Sequence, residues 1–253
     1  MSRGFKTCLT SFEWAWFTVN TRAVYLSRDQ SFGKHHGSSG EEPSDCLALA
    51  PYLDLLNHSV DVAVKAGVDI HKDTSGYQIV TKTKIKKYKQ AFINYGPHDN
   101  TKLLLEYGFF VPNNPHECFN INLNDITVFV ECEKGIVDKS SKIEILKSNK
   151  LDQKLCVTKE GMSWNVIVCL KILYMEKDEL KVWHLVFQDV EGDESVQIKK
   201  VMKQLISHFH SSLASTVVKM GEMSESNCSL SFNYCFDLVK SHSKILEDAL
   251  LSM

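Results

Sequence analysis

The chain has 253 residues, 43% of them hydrophobic and 24% charged, and its 29 Lys and Arg against 31 Asp and Glu leave a formal net charge of −2. That composition is globular, sufficient for one large or two modest domains, and it excludes wholesale disorder and any chain-wide basic field that would attract nucleic acid. Apolar runs such as Val166–Leu170 break at residues like Lys171, well short of the ~20 needed to span a bilayer; the opening Met1-Ser2-Arg3-Gly4-Phe5-Lys6 lacks a secretory pattern, so the chain reads as intracellular.

Phe12, Trp16, Val19, Ala23 and Leu26 recur at steps of three and four, which predicts a helix over 11–26 with one buried face. The segment 28–46, rich in Gly, Ser, His and acidic residues, reads as an exposed loop. Residues 47–56 are apolar but interrupted by Pro51 and Asp54, the pattern of a short helix or irregular turn. Three alternating runs follow, 62–66, 68–71 and 77–81, parted by Gly67 and by Asp73-Thr74-Ser75-Gly76, and they read as antiparallel strands.

Lysines at 82, 84, 86, 87 and 89 read as a solvated hairpin leading into a strand over 91–96. Asp99 or Asn100 can cap a short helix that turns Leu103, Leu104 and Tyr107 inward and closes on a left-handed Gly108. Beyond Pro115 the period becomes helical: over 163–175, through Val201, Leu205, Phe209, Leu213 and Val217, and over about 229–251, with breaks at Gly192-Asp193-Glu194 and Gly221-Glu222-Met223-Ser224. The eight cysteines, never closer than seven residues apart, form no metal-clamping pair and read as reduced thiols, several of them buried.

Polar residues interrupt apolar runs at three places: Leu53-Asp54-Leu55-Leu56-Asn57-His58-Ser59, Asn94-Tyr95-Gly96-Pro97-His98-Asp99-Asn100, and Glu106-Tyr107-Gly108-Phe109. Spacing alone leaves Asn57-His58 as either a turn or a ligand contact. These segments, the first of them extended back to Leu49, with Trp14-Ala15-Trp16-Phe17-Thr18-Val19-Asn20-Thr21-Arg22-Ala23-Val24-Tyr25-Leu26 ahead of them, resemble the SET-domain lysine methyltransferases, in the subgroup typified by the Rubisco large-subunit methyltransferase. The resemblance covers roughly the first 110 residues.

It implies an α+β fold, with a partial SET β-fold over 1–111 followed by a mainly helical substrate-binding domain over 112–253. It also implies methyl transfer from S-adenosylmethionine to a lysine of a protein substrate, a histone tail or another nuclear or cytosolic protein. No metal, direct nucleic-acid contact or membrane is involved. Cofactor contacts fall on Arg22, Asn57, His58, Tyr95 and Tyr107, and Tyr95 takes the catalytic position. On residue type alone Tyr107 also reads as a helix core residue, and Arg22 as a surface one.

In the family an Asn-His segment crosses a Tyr-Gly segment, and both are present. The family's Gly-x-Gly cofactor turn is not found in the sequence, and Met1 stands almost at the Trp-Ala-Trp segment. The resemblance therefore implies N-terminal truncation, with a non-catalytic protein-interaction module as the alternative to a working enzyme.

Overall fold

In the computed structural model, which describes residues 8–26, 46–70, 75–187, 196–224 and 229–253, the chain divides between His116 and Glu117 into two units. The first unit opens with α1 (Leu9–Arg22), which ends four residues before the helical period does. Ala23 turns extended, and β1 (Ala23–Leu26) pairs antiparallel with β2 (Cys46–Leu49) in the register Ala23↔Leu49 to Leu26↔Cys46. Residues 23–26 and 46–49 are thus strands where a helix and an irregular turn are expected; the pairing partner, more than twenty residues away, outweighs the local pattern.

The face expected to be buried on α1 is open: Phe12, Trp16 and Val19 are 57%, 58% and 45% exposed. Periodicity says which side chains share a face, not what covers it. The loop expected over 28–46 lies outside the described residues, except that Cys46 begins β2.

A single-turn helix at Leu53–Leu55 leads into β3 (Asn57–His58). β4 (Val64–Ile70) runs through Gly67 without a break and pairs antiparallel with β5 (Ser75–Thr81). The lysine-rich stretch that follows is an exposed loop rather than a hairpin. It ends at the two-residue strand β6 (Phe92–Ile93), which pairs in parallel with β3 and so lays the Asn57-His58 segment alongside the strand entering Tyr95. Asp99 caps α2 (Asn100–Lys102) by accepting from the Lys102 N–H at 2.8 Å. The helix widens to π geometry over Leu103–Tyr107 and stops at Gly108, whose φ of 78° a side chain would resist.

The second unit starts with β7 (Phe119–Asn120), then α3 (Leu123–Lys134) and α4 (Lys139–Ser148). β8 (Cys156–Thr158) and β9 (Gly161–Met162) complete a small antiparallel sheet ordered β7-β8-β9. It escapes the helical reading because strands of two or three residues show no period. α5 (Trp164–Tyr174) is buried on nearly every side, and a kinked 3₁₀ segment follows at Glu179–Phe187. α6 (Val196–Ser224) and α7 (Leu230–Ser252) form a long hairpin. α6 continues through Gly221, where a break is expected; the break expected at 192–194 lies outside the described residues.

Ile126, Val130, Leu146, Val157, Leu170, Leu173, Leu205, Ile206 and Leu246 make one continuous core in this unit. Lys142 is fully buried beneath it. Its ammonium donates to the carbonyls of Leu173 at 2.9 Å and Met175 at 2.5 Å, satisfying the negative end of α5, while burial lowers its pKa. Among the described cysteines only Cys169 is fully buried, and burial pushes its thiol up to about 12; Cys8, Cys132 and Cys235 are exposed. Among the described residues no helix is long and apolar enough to cross a membrane.

Candidate functional site

The five residues singled out in the sequence meet in the first unit. Arg22 at the end of α1, Asn57 and His58 on β3, Tyr95 after β6 and Tyr107 on the π turn line one cavity of about 340 Å³, together with Thr21, Asp54 and Phe109. A larger cavity of about 710 Å³ shares Thr21, Arg22, Asp54, Tyr95 and Tyr107 with it and adds Asn94, His98, Lys102, Ile79 and Ile93. Each volume lies in the range of small-molecule sites. Tyr95 and Tyr107 stand between them.

Tyr95 is fixed at two points. Its main-chain N–H donates to His58 Nδ1 at 3.0 Å, and its phenol donates to the Leu56 carbonyl at 2.8 Å. The parallel β3–β6 pairing makes both contacts possible, because it brings Leu56, His58 and Tyr95 to neighbouring positions.

Gly96 follows with φ 125°, and a Cβ there would lie 2.9 Å from His98 Nε2. A glycine is therefore required for the His98 ring to fold back over the turn. Asn94 accepts from the Gly96 N–H at 2.8 Å, and buried Asn114 donates to the His98 carbonyl at 2.8 Å. Asn100 locks the segment from below with a double hydrogen bond to Val111, at 2.9 and 2.8 Å.

The aromatic rings form a wall. Tyr95 lies 5.0 Å from Tyr107 and 5.1 Å from His58 between centroids, and Phe109 lies 5.9 Å from His58 and 6.3 Å from Tyr107. His98 stacks on the far side of Tyr107 at 6.3 Å. Such a cluster offers ring faces to a cation. Burial raises the Tyr95 and Tyr107 phenols above their ordinary range, so both stay un-ionised hydrogen-bonding groups. Burial also lowers His58 and His98, so both rings are neutral at pH 7; that is the state in which His58 Nδ1 can accept a hydrogen bond.

Arg22 is exposed on one side and reaches across the cavity floor to the Asp54 carbonyl at 3.0 Å and its carboxylate at 3.5 Å. Asn57 is exposed to the same cavity. Sequence reasoning did not assign roles to Asp54, His98 or Phe109. The signal for Asp54 was a charge inside an apolar run, and for the other two their place in the segments already singled out. No group of His, Cys, Asp and Glu that could hold a metal occurs among the described residues.

No family model matches the chain. It is 42% identical over 170 residues to SET domain-containing protein 4 of Homo sapiens, covering 67% of this chain and 36% of that protein. It is 36% identical over 124 residues to a ribosomal lysine N-methyltransferase of Schizosaccharomyces pombe, covering 49% and 28%. The chain spans less than two thirds of the length of these relatives. Among solved structures, the SET domain of the Rubisco large-subunit methyltransferase bound to lysine and S-adenosylhomocysteine matches with a TM-score of 0.58 at 17% identity, over 96% of this chain and 55% of that one. The fold is therefore the mixed helix-and-strand fold of that structure.

Proposed function

On the strength of this kinship with SET-domain proteins and lysine methyltransferases, we propose that the chain is a protein-lysine N-methyltransferase using S-adenosylmethionine, on a histone or another nuclear or cytosolic protein. The observation that carries the reading is Tyr95, held by two hydrogen bonds between two adjoining cavities and walled by aromatic rings.

The residues present suit the cofactor. Asn57 offers a free amide, Arg22 a cation for a carboxylate, and Tyr95, Tyr107 and Phe109 ring faces for a sulfonium. His58 has Nδ1 committed to Tyr95, so its main chain is the part left to contact a ligand on the β3 side. When bound, the cofactor supplies an electrophilic methyl group on sulfur. The substrate lysine has to arrive neutral and in line, because an ammonium has no lone pair to attack with.

The Tyr95 phenol donates its hydrogen bond to the Leu56 carbonyl, which leaves its oxygen lone pairs able to accept a hydrogen bond from an amine or a polarised methyl. Tyr107 and His98 close the channel wall against water. No residue need act as a strong base. A second reading, a module that binds a lysine-bearing partner without turnover, draws on the Gly-x-Gly pattern not found in the sequence.

The test is transfer of labelled methyl from S-adenosylmethionine to histones and to cytosolic proteins by the 253-residue chain, with the modified residue mapped by mass spectrometry. Label on lysine, falling about 100-fold in Tyr95→Phe with the fold intact, is the expected result. Undiminished transfer by the variant removes Tyr95 from the chemistry, and partner binding with no transfer by either protein favours the second reading.

A further inference from the structure

The segment between β5 and β6 carries Lys82, Lys84, Lys86, Lys87 and Lys89, and no acidic residue occurs anywhere from Thr74 to His98. In a chain of net charge −2 this concentrates five positive charges in eight residues. All five side chains are exposed, and none has a carboxylate within ion-pair distance among the described residues.

The backbone of the loop carries a second signal. Lys89 N–H donates to the Lys86 carbonyl at 3.0 Å, closing a four-residue turn whose third position is Tyr88 at φ 65°. A bulky aromatic in the left-handed region is uncommon and costs free energy that glycine or asparagine would not. Tyr88 recovers nothing by burial: it is 91% exposed, with the Lys87 ammonium 4.8 Å from its ring centre. The turn thus holds a phenol outward among ammonium groups.

Both ends of the loop are anchored at the site. Lys82 is three residues beyond Ile79 and Lys89 four residues before Ile93, and both isoleucines line the larger cavity. At ~3.3 Å per residue the lysines begin within about 10 to 13 Å of the cavity wall. That equals the distance along an extended peptide from one residue to those three or four positions away.

We infer that the Lys82–Lys89 loop is the docking surface for an acidic segment of the protein substrate, selecting target lysines with Asp or Glu three or four residues away. The inference rests on the methyl-transfer reading of the neighbouring cavity. A carboxylate meets ammonium donors from the lysines and a hydroxyl donor from Tyr88, whereas a cationic tail is repelled. The overall negative charge of the chain opposes binding of an acidic peptide, so a preference for one has to come from this local patch.

The experiment measures fluorescence anisotropy of the 253-residue chain with two labelled 15-residue peptides, each with one central lysine, flanked by Glu and Ser in one and by Arg and Ser in the other. A single-stranded 15-nucleotide DNA serves as the third probe. The acidic peptide is expected to bind roughly tenfold more tightly than the basic one, with affinity falling as salt rises.

Combined Lys82→Ser, Lys84→Ser, Lys86→Ser, Lys87→Ser and Lys89→Ser removes the preference while circular dichroism stays unchanged; Lys86→Glu with Lys87→Glu inverts it. Tyr88→Gly, which relaxes the turn, still weakens the acidic peptide. Equal binding of both peptides, or a preference that survives the serine variant, overturns the inference. Tighter binding of the DNA than of the acidic peptide, lost in the serine variant, also overturns it and assigns the loop to nucleic acid. Calorimetric titration of the same protein with S-adenosylmethionine reports on the methyl-transfer reading separately: no cofactor heat beside an intact acidic preference defeats that reading and leaves the loop a docking surface.

Discussion

The two units of this chain are stabilised in opposite ways. Among the described residues, all the buried hydrophobic ones but one lie between Glu117 and Met253, where α5 threads a continuous core. In the unit that holds the site, Leu103 is the single exception, while Trp14, Trp16, Phe17, Leu47 and Leu105 stand exposed. That unit is organised instead by polar clasps: His58 and Leu56 on Tyr95, Asn100 on Val111, and Asn114 on His98. Burial of apolar area sets the stability of the helical unit, and hydrogen-bond geometry sets the shape of the site.

This difference is breakable by mutation. The largest loss is expected from Leu205→Ala, which opens a cavity in the helical core and costs about 3 to 4 kcal/mol, with no change in the Tyr95 clasp. Urea unfolding followed by hydrogen exchange in peptides from each unit is the check; equal destabilisation of both units contradicts the division. Lys142→Ala comes next, at about 3 kcal/mol in the same unit, because two carbonyls at the end of α5 lose their donor and a void replaces the side-chain stem. Lys142→Met should recover the packing part of that loss, and a variant no better than alanine shows that the charge carries all of it.

In the site unit, Asn100→Ala leaves the Val111 N–H and carbonyl unpaired and is expected to cost about 2 kcal/mol, read as faster exchange of amides over 100–111. Tyr95→Phe removes one hydrogen bond and costs only about 1 kcal/mol, while methyl transfer falls far more steeply. The smallest effect is pH-dependent. His58 and His98 titrate below their ordinary value in the folded state, chiefly from burial, with His98 and His116 adding to it at His58 and Lys102 adding to it at His98. The unfolded chain thus binds more protons as pH falls through ~6.5, so the site unit loses stability on the acid side and regains it above. Exchange of the Tyr95 amide, corrected for its intrinsic rate, should lose protection below that pH and keep it in the helical unit.

The sequence was readable where function is built from short contiguous signals. Asp99 as a cap, Gly108 as a left-handed stop and the buried faces of α5, α6 and α7 follow from local patterns, and the meeting of Arg22, Asn57, His58, Tyr95 and Tyr107 in one cavity follows from the resemblance. What was not readable depended on distant partners. The β1–β2 pairing replaced the end of a predicted helix, the β7-β8-β9 sheet was too short to leave a period, and the exposure of Trp14 and Trp16 depends on what lies beside α1. His98 showed no signal of its own, since its place over Gly96 depends on a backbone turn that only coordinates reveal.

Calorimetric titration of the folded 253-residue chain with S-adenosylmethionine, beside Asn57→Ala, decides whether the aromatic-walled cavity is a methyl-donor site. Dissociation in the micromolar range, weakened about tenfold by the loss of the Asn57 amide, is the expected result. A folded chain that gives no heat, or a variant that binds as tightly as the parent, contradicts the assignment of that cavity.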